Sequence, residues 1–366
     1  MELSPDQQSA FEAVMEWLKS DEQVFRLGGL AGTGKSTLAS HILDAITLDY
    51  AVCAYTGKAV NVLQRKGIGE AQTIHSLIYM PSSYCRECNM PVDDEDPVVL
   101  RYCDTAFARR DALTVELVVV DEASMVSENI LADLMCYDAK ILLIGDHGQL
   151  PPIHGHSVMQ DPDVRLEQIH RQASGSPITR FAHAVRSGAT PAAWVGLERE
   201  EIAIRAGNPV DIERYDVVIC GFNRTRVKLN SAARRARGFS GELPQVGETV
   251  ICLSNNKDFG VFNGQRFTVT DTREEEHFEI EIIDEAGKRK GFVPVVESQF
   301  GRATKMEHRT RKTALFDFGY ALSCHKSQGS EYESVAVVEE THPSWNAACW
   351  RYTAASRAKT RLHYYV

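Results

Sequence analysis

Gly29-Leu30-Ala31-Gly32-Thr33-Gly34-Lys35-Ser36 combines three glycines, a lysine and a hydroxyl at the spacing of a phosphate-binding loop. The glycines let backbone N–H groups turn inward onto phosphate oxygens, and a helix starting there adds positive potential. Lys35 would reach the β and γ phosphates of a nucleotide, and Ser36 would hold Mg²⁺. Gly32, Thr33, Gly34 and Thr37 complete the nucleotide-binding set. A phosphate cradle also needs a metal partner and a base. Val118-Val119-Val120-Asp121-Glu122 offers Asp121 for Mg²⁺ and Glu122 to orient an attacking water. Out of that context, the same pair would read as two solvated acids at a strand end. The run Ile141 to Ile144 repeats the apolar-to-acid pattern and leads through Gly145 and Asp146 to His147-Gly148-Gln149-Leu150-Pro151-Pro152. Gln149 either senses a γ phosphate there or belongs to a turn stabilised by Gly and Pro.

These side chains need a scaffold that brings loops to one edge. In the first half, short apolar runs alternate with helical patterns, which predicts βαβ units on a parallel sheet. Strands are expected at Gln23 to Leu27, Ala51 to Tyr55, Leu117 to Asp121 and Lys140 to Gly145, with a helix from Gly34 to Ile46. Between Ile78 and Ala112, prolines, an acidic run and three cysteines replace any period, so this stretch reads as an insertion. A second α/β pattern follows, with strands at Val217 to Phe222, Val335 to Val338 and Arg361 to Val366. A basic helix from Arg224 to Arg237 accompanies it, and its cations would add positive field or form a solvated face. From about Gly241 to Lys312 the residues alternate between Gly and Asn turns, the pattern of a small inserted β-barrel.

Composition bounds the class. The 366 residues, 43% hydrophobic and 25% charged, describe a globular chain of two or three domains. Apolar runs too short to span a bilayer and an N-terminus without a signal-peptide pattern predict a cytoplasmic protein with no membrane contact. The nine cysteines are scattered singly, as reduced thiols are. A net charge of -10 excludes a wholly basic nucleic-acid coat but leaves room for a local basic groove. Cys85-x-x-Cys88 with Cys103 has the spacing of an incomplete zinc site, and no fourth ligand stands at a diagnostic position.

Taken in order, the motifs resemble those of superfamily 1 helicases. They are Gln7, the loop Gly29 to Ser36, Asp121-Glu122-Ala123-Ser124, Gly145 to Pro152, Leu166 to Arg171, Ser323 to Glu331 and Tyr352 to Lys359. The match spans nearly the whole chain and is similar above all to the RecD-like branch, superfamily 1B, and to compact phage helicases of the Dda type. The resemblance implies two RecA-like P-loop domains with an ATP site between them. The first would take residues 1–78 and 113–165 with a wedge insertion at 79–112. The second would take 166–240 and 313–366 with an SH3-like β-barrel insertion at 241–312.

By the same resemblance, Gln7 would read the adenine edge, Gly329 and Glu331 would approach the sugar and phosphates, and Arg171 and Arg357 would act as arginine fingers. Thr56, Lys58, Thr73 and His75 would contact single-stranded DNA from the first domain, and His325 with Lys326 from the second; the alternative for Thr73 and His75 is a capping or buried role. In the wedge, Tyr84 or Tyr102 would stack on a parting base pair. The implied activity is an ATP- and Mg²⁺-dependent motor moving 5′ to 3′ on single-stranded DNA and unwinding tailed duplexes. It would act as a monomer in a bacterial or phage-infected cell, beside single-strand-binding or replisome proteins. The rivals are a translocase that remodels protein on DNA without processive unwinding and a P-loop phosphotransferase.

Overall fold

The computed structural model describes residues 3–65, 67–68, 70–85, 105–152, 155–168, 175–209, 211–306 and 312–366. Arg171, Cys88, Tyr102 and Cys103, and the side chain of Cys85, lie outside what is described, and so does the zinc reading. The chain divides into two compact units, one of Met1–Met80, Arg109–Thr190 and Pro343–Ser356, the other of Pro81–Ala108, Pro191–His342 and Arg357–Val366.

Strands are numbered in chain order. The first unit holds Val24–Gly29 (β1), Tyr50–Ala54 (β2), Gln72–Thr73 (β3), Leu117–Asp121 (β6), Lys140–Gly145 (β7) and Val164–Leu166 (β8), in the spatial order β3-β2-β6-β7-β1-β8. Neighbouring strands pair in parallel, as runs such as Leu117 to Val120, buried throughout, demand when helices cover both faces. Val14, Leu27, Leu38, Ile42 and Leu142 pack on one side of this sheet, while Ile74, Val118, Val120, Ile141 and Leu143 form a second core. Tyr79–Cys85 (β4) and Thr105–Arg109 (β5) form a separate two-stranded ribbon. Tyr137 anchors its base, the hydroxyl donating to the carbonyls of Ile78 and Arg110 at 3.0 Å each.

In the second unit, Ile202–Arg205 (β9), Val217–Cys220 (β10), Ala321–Ser323 (β16), Tyr332–Val338 (β17) and Ala358–Tyr365 (β18) form another parallel sheet, ordered β16-β10-β17-β18-β9. An antiparallel sheet lies in sequence between β10 and β16. Its strands are Thr249–Cys252 (β11), Arg266–Glu274 (β12), Phe278–Asp284 (β13), Arg289–Pro294 (β14) and Phe316–Phe318 (β15), ordered β14-β13-β12-β11-β15. Phe267, Val269, Ile280, Ile282, Val293 and Phe316 bury its core.

Three expectations change. The antiparallel sheet does not end near Lys312, because Phe316–Phe318 pairs with β11 and supplies its outer strand. The segment Pro343–Ser356, assigned by motif order to a second domain, packs in the first unit, where the helix Ala347–Ala355 lies against the helix Pro177–Arg186. The helix Asn223–Ala236 is a solvated basic face only in part, with Arg224, Lys228 and Arg235 exposed. Arg226 and Arg234 are buried, Arg226 paired with Asp317 and Arg234 with Glu248, at 2.7 Å in each case.

Candidate ATPase site and strand-binding edge

The carboxyl ends of the parallel strands in the first unit collect the candidate residues, the usual place for ligands in open α/β sheets. After β1 comes the phosphate loop. Gly32 and Gly34 have φ of 83° and 76°, left-handed conformations that a side chain resists, and Gly34 leads directly into the helix Lys35–Ala45. Ser36 and Thr37 lie in the first turn of that helix, where backbone N–H groups point outward. The Lys35 ammonium donates to the carbonyls of Gly29 at 2.7 Å and Leu30 at 3.0 Å, so its charge already sits within the loop. The Thr33 hydroxyl donates to the Leu30 carbonyl at 2.9 Å and braces the same turn.

Gln7 reaches this loop from the helix Pro5–Trp17. It closes a capping box with Ser4, and its amide nitrogen donates to the carbonyl of Gly34 at 3.2 Å. The amide is thus shared between a helix cap and the phosphate loop.

Asp121 ends β6 and Glu122 follows it. The Asp121 carboxylate accepts from the Glu122 N–H at 2.9 Å, and Glu122 has a φ of 52°, the one positive value of a non-glycine residue among those described. Such strain persists where surrounding contacts enforce it. One enforcing contact is visible at Gly145 on the next strand, where a Cβ would come within 2.9 Å of the Ser124 backbone nitrogen. Only glycine lets the Asp121–Ser124 turn approach β7 this closely.

The loop after β7 is tied down by its own acid. Asp146, 1% exposed, accepts from the Gly148 N–H at 2.9 Å and the Gln149 amide at 3.3 Å. The Gln149 side-chain carbonyl is buried without a hydrogen-bond partner, which leaves an acceptor available for a donor group. Beside it, the His147 imidazole has its pKa lowered by burial, against the pull of Asp146.

Toward the other end of the sheet lie the proposed DNA contacts. Thr56 caps the helix Gly57–Arg65, which carries Lys58, by accepting from the Ala59 N–H at 3.2 Å. Thr73 caps the helix Ile74–Ile78 by accepting from the Ser76 N–H at 3.1 Å, the capping role left open by the sequence. The Ala54↔Thr73 pairing of β2 with β3 sets these caps at neighbouring strand ends. His75 stands between Tyr55 and Tyr79, with ring centroids 6.0 and 5.5 Å away, and burial lowers its pKa.

In the second unit, Gly329 and Glu331 occupy the turn between the short helix Cys324–Ser327 and β17. Arg357 is buried beside them and donates to the Ser330 carbonyl at 3.1 Å. His325 and Lys326 lie on that short helix. Burial lowers the pKa of His325. Lys326 is exposed along part of its length, yet burial and then the charge of Arg226 bring its ammonium down to about 8. Lys305 shifts the same way, also through burial.

The AAA domain family matches residues 2–208, more than half of the chain, and the UvrD-like helicase C-terminal domain matches residues 318–365. The chain belongs to the AAA domain family. Over its length it is similar to superfamily 1 helicases of the RecD, Pif1 and Dda kinds, and it has a P-loop NTPase fold suited to binding and hydrolysing ATP. It is 26% identical to the ATP-dependent RecD2 DNA helicase of Deinococcus radiodurans, over 96% of this chain and 48% of that protein. Identity to the ATP-dependent DNA helicase dda of Enterobacteria phage T4 is 27%, over 42% of this chain and 33% of that protein. The chain therefore spans half or less of these two relatives. The ATP-dependent DNA helicase Pif1 of Campylobacter jejuni is 23% identical over 94% of this chain and 88% of its own length. A Bacteroides Pif1 bound to single-stranded DNA shares the fold, with a TM-score of 0.61, 18% identity and coverage of 100% of this chain and 92% of that one. The relatives spread over RecD, Pif1 and Dda proteins, so the likeness reaches the superfamily and neither the RecD-like branch nor the Dda type in particular. No helix among the described residues is long and apolar enough to cross a membrane.

Three features escaped the sequence reading. Tyr352 and Thr353 belong to a motif read for Arg357, yet both hydrogen-bond with loops of the first unit. Phe107 on the ribbon is 68% exposed, more than Tyr84 at 54%. No local periodicity marks a lone exposed aromatic, and no spacing rule links positions 203 to 321 residues apart.

Proposed function

We propose that the chain is an ATP-driven motor that travels 5′ to 3′ on single-stranded DNA and unwinds tailed duplexes, in the manner of the superfamily 1B branch. One observation carries this reading. Successive strand ends of one sheet bear His75 and Thr73, then Thr56 and Lys58, then Asp121 and Glu122, then Gln149, then the phosphate loop. Nucleotide chemistry and strand contacts would share a single rigid edge, so a change at the phosphates could be felt by the strand. In this reading Lys35 and the loop amides hold the phosphates, Glu122 orients water, Gln149 senses the γ phosphate, and Arg171 and Arg357 supply guanidinium groups to it.

Mg²⁺ suits the donor set. A hydroxyl at Ser36 and a carboxylate at Asp121 are hard oxygen donors, and Mg²⁺ bound with nucleotide needs one or two such ligands rather than an all-protein cage. It would neutralise charge on the phosphate oxygens. The ribbon β4–β5 with Tyr84 and Phe107 is the proposed wedge, and the antiparallel sheet the proposed SH3-like module. Exposed aromatics on a narrow ribbon favour duplex separation over translocation alone, because they offer a surface on which an unpaired base can stack. The test is ATP hydrolysis with and without single-stranded DNA, followed by strand displacement on duplexes bearing only a 5′ or only a 3′ tail. Stimulated hydrolysis and displacement from the 5′ tail are expected. Hydrolysis without displacement on either tail would point instead to a remodelling translocase.

A further inference from the structure

Tyr352 lies in the helix Ala347–Ala355, is fully buried, and places its hydroxyl between two elements of the candidate ATP site. The hydroxyl accepts from the Ala31 N–H of the phosphate loop at 2.6 Å and donates to the Asp146 carboxylate at 2.6 Å. Donation to a carboxylate polarises the O–H group and makes its oxygen a stronger acceptor for the Ala31 amide. Gly148 and His183 flank the ring. A Cβ added at Gly148 would come within 3.0 Å of the Tyr352 ring, and His183 meets that ring edge-on at 5.9 Å while its Nε2 lies 3.3 Å from the Ala31 carbonyl. One residue of the phosphate loop is thus engaged at its N–H by Tyr352 and at its C=O by His183.

We infer that Tyr352 is a positioning residue whose hydroxyl stands in for a phosphate oxygen at the Ala31 N–H, so that bound nucleotide must displace it. This rests on the ATP-binding reading above. Removing the hydroxyl leaves the Ala31 N–H without its acceptor in the free protein, whereas bound nucleotide restores one. An unsatisfied donor costs more than the net worth of a made hydrogen bond, so the penalty falls on the free state and the binding equilibrium shifts toward the complex. Asp146 is not orphaned by the change, because the Gly148 N–H and the Gln149 amide still donate to it.

The experiment compares wild type with Tyr352→Phe, which keeps the ring volume, and with Thr353→Val. Thr353 accepts from the Leu150 N–H at 2.8 Å from the same helix, so its loss loosens that helix without touching Ala31. Affinity for ADP and for a non-hydrolysable ATP analogue is measured by calorimetry, and thermal unfolding is recorded with and without saturating ligand. Tyr352→Phe should bind both ligands about 3- to 10-fold more tightly. It should also melt lower without ligand and gain a larger upward shift with it. Thr353→Val should melt lower without any gain in affinity. Unchanged or weaker binding by Tyr352→Phe, or an equal gain in Thr353→Val, overturns the inference while leaving the ATPase reading intact. A wild type that binds neither ligand removes both.

Discussion

Lys35 is held by two carbonyls of its own loop, so its ammonium is placed before any phosphate arrives. Replacing it with alanine should lower hydrolysis by at least about 10²-fold, the cost of losing a charge-stabilising donor, and should weaken ATP binding in the same assay. Glu122→Gln should separate the two effects, slowing turnover by about 10² to 10⁴-fold while ATP affinity stays near wild type. Collapse of affinity would instead make Glu122 a structural residue, consistent with its enforced left-handed backbone. Lys326 answers a different question. Its pKa near 8 lies below the ordinary lysine value of about 10.4, so the folded chain surrenders a proton that the unfolded chain keeps. Folded stability should therefore rise as pH climbs through the interval from about 8 to 10. Urea midpoints in Lys326→Met should rise less over that interval, and not stay fully flat, because Lys305 shifts in the same direction. If Lys326 also meets a DNA phosphate, single-strand affinity should fall as pH passes 8, and Lys326→Met should reduce the salt slope by about 0.7.

At the scale of elements, two buried ion pairs fasten the helix Asn223–Ala236 to its surroundings. Asp317 receives Arg226 and also accepts from the N–H groups of Gly301 and Phe318, at 2.9 and 2.8 Å. Glu248 receives both the Nε and a terminal nitrogen of Arg234, at 2.7 and 2.8 Å, and accepts from the Gln245 N–H at 3.0 Å. Six basic residues read as one cationic face, yet the helix turns two of them inward toward acids 14 and 91 residues away in sequence. Burial makes each pair costly to break and gives it little net worth as a pair. Arg234→Met alone should cost about 3–5 kcal/mol in urea unfolding, since Glu248 is left buried and uncompensated. Arg234→Met with Glu248→Leu should recover most of that loss. Equal destabilisation by the single and double changes would show that packing, and not the charge left behind, sets the cost.

For the whole molecule, the decisive measurement is coupling between hydrolysis and the strand. Thr56→Ala, His75→Ala and His325→Ala should each raise the single-stranded DNA concentration needed for half-maximal stimulation by about tenfold, with smaller changes in maximal turnover. If all three leave stimulation unchanged while folding normally, the strand path lies elsewhere. Much of the scaffold for this was legible in the linear chain. The phosphate loop, the acids after β6 and the parallel order of short apolar runs follow from local chemistry, because glycine conformations, strand periodicity and helix starts depend on residues close together in sequence. Tertiary structure decided what depends on distant partners. It turned Arg226 and Arg234 inward, carried Pro343–Ser356 into the first unit and added Phe316–Phe318 to the antiparallel sheet. It also set the Tyr352 hydroxyl between Ala31 and Asp146. A hydroxyl or guanidinium has no preferred partner along the chain; buried, it takes whichever acceptor the packing of remote elements brings within hydrogen-bond reach.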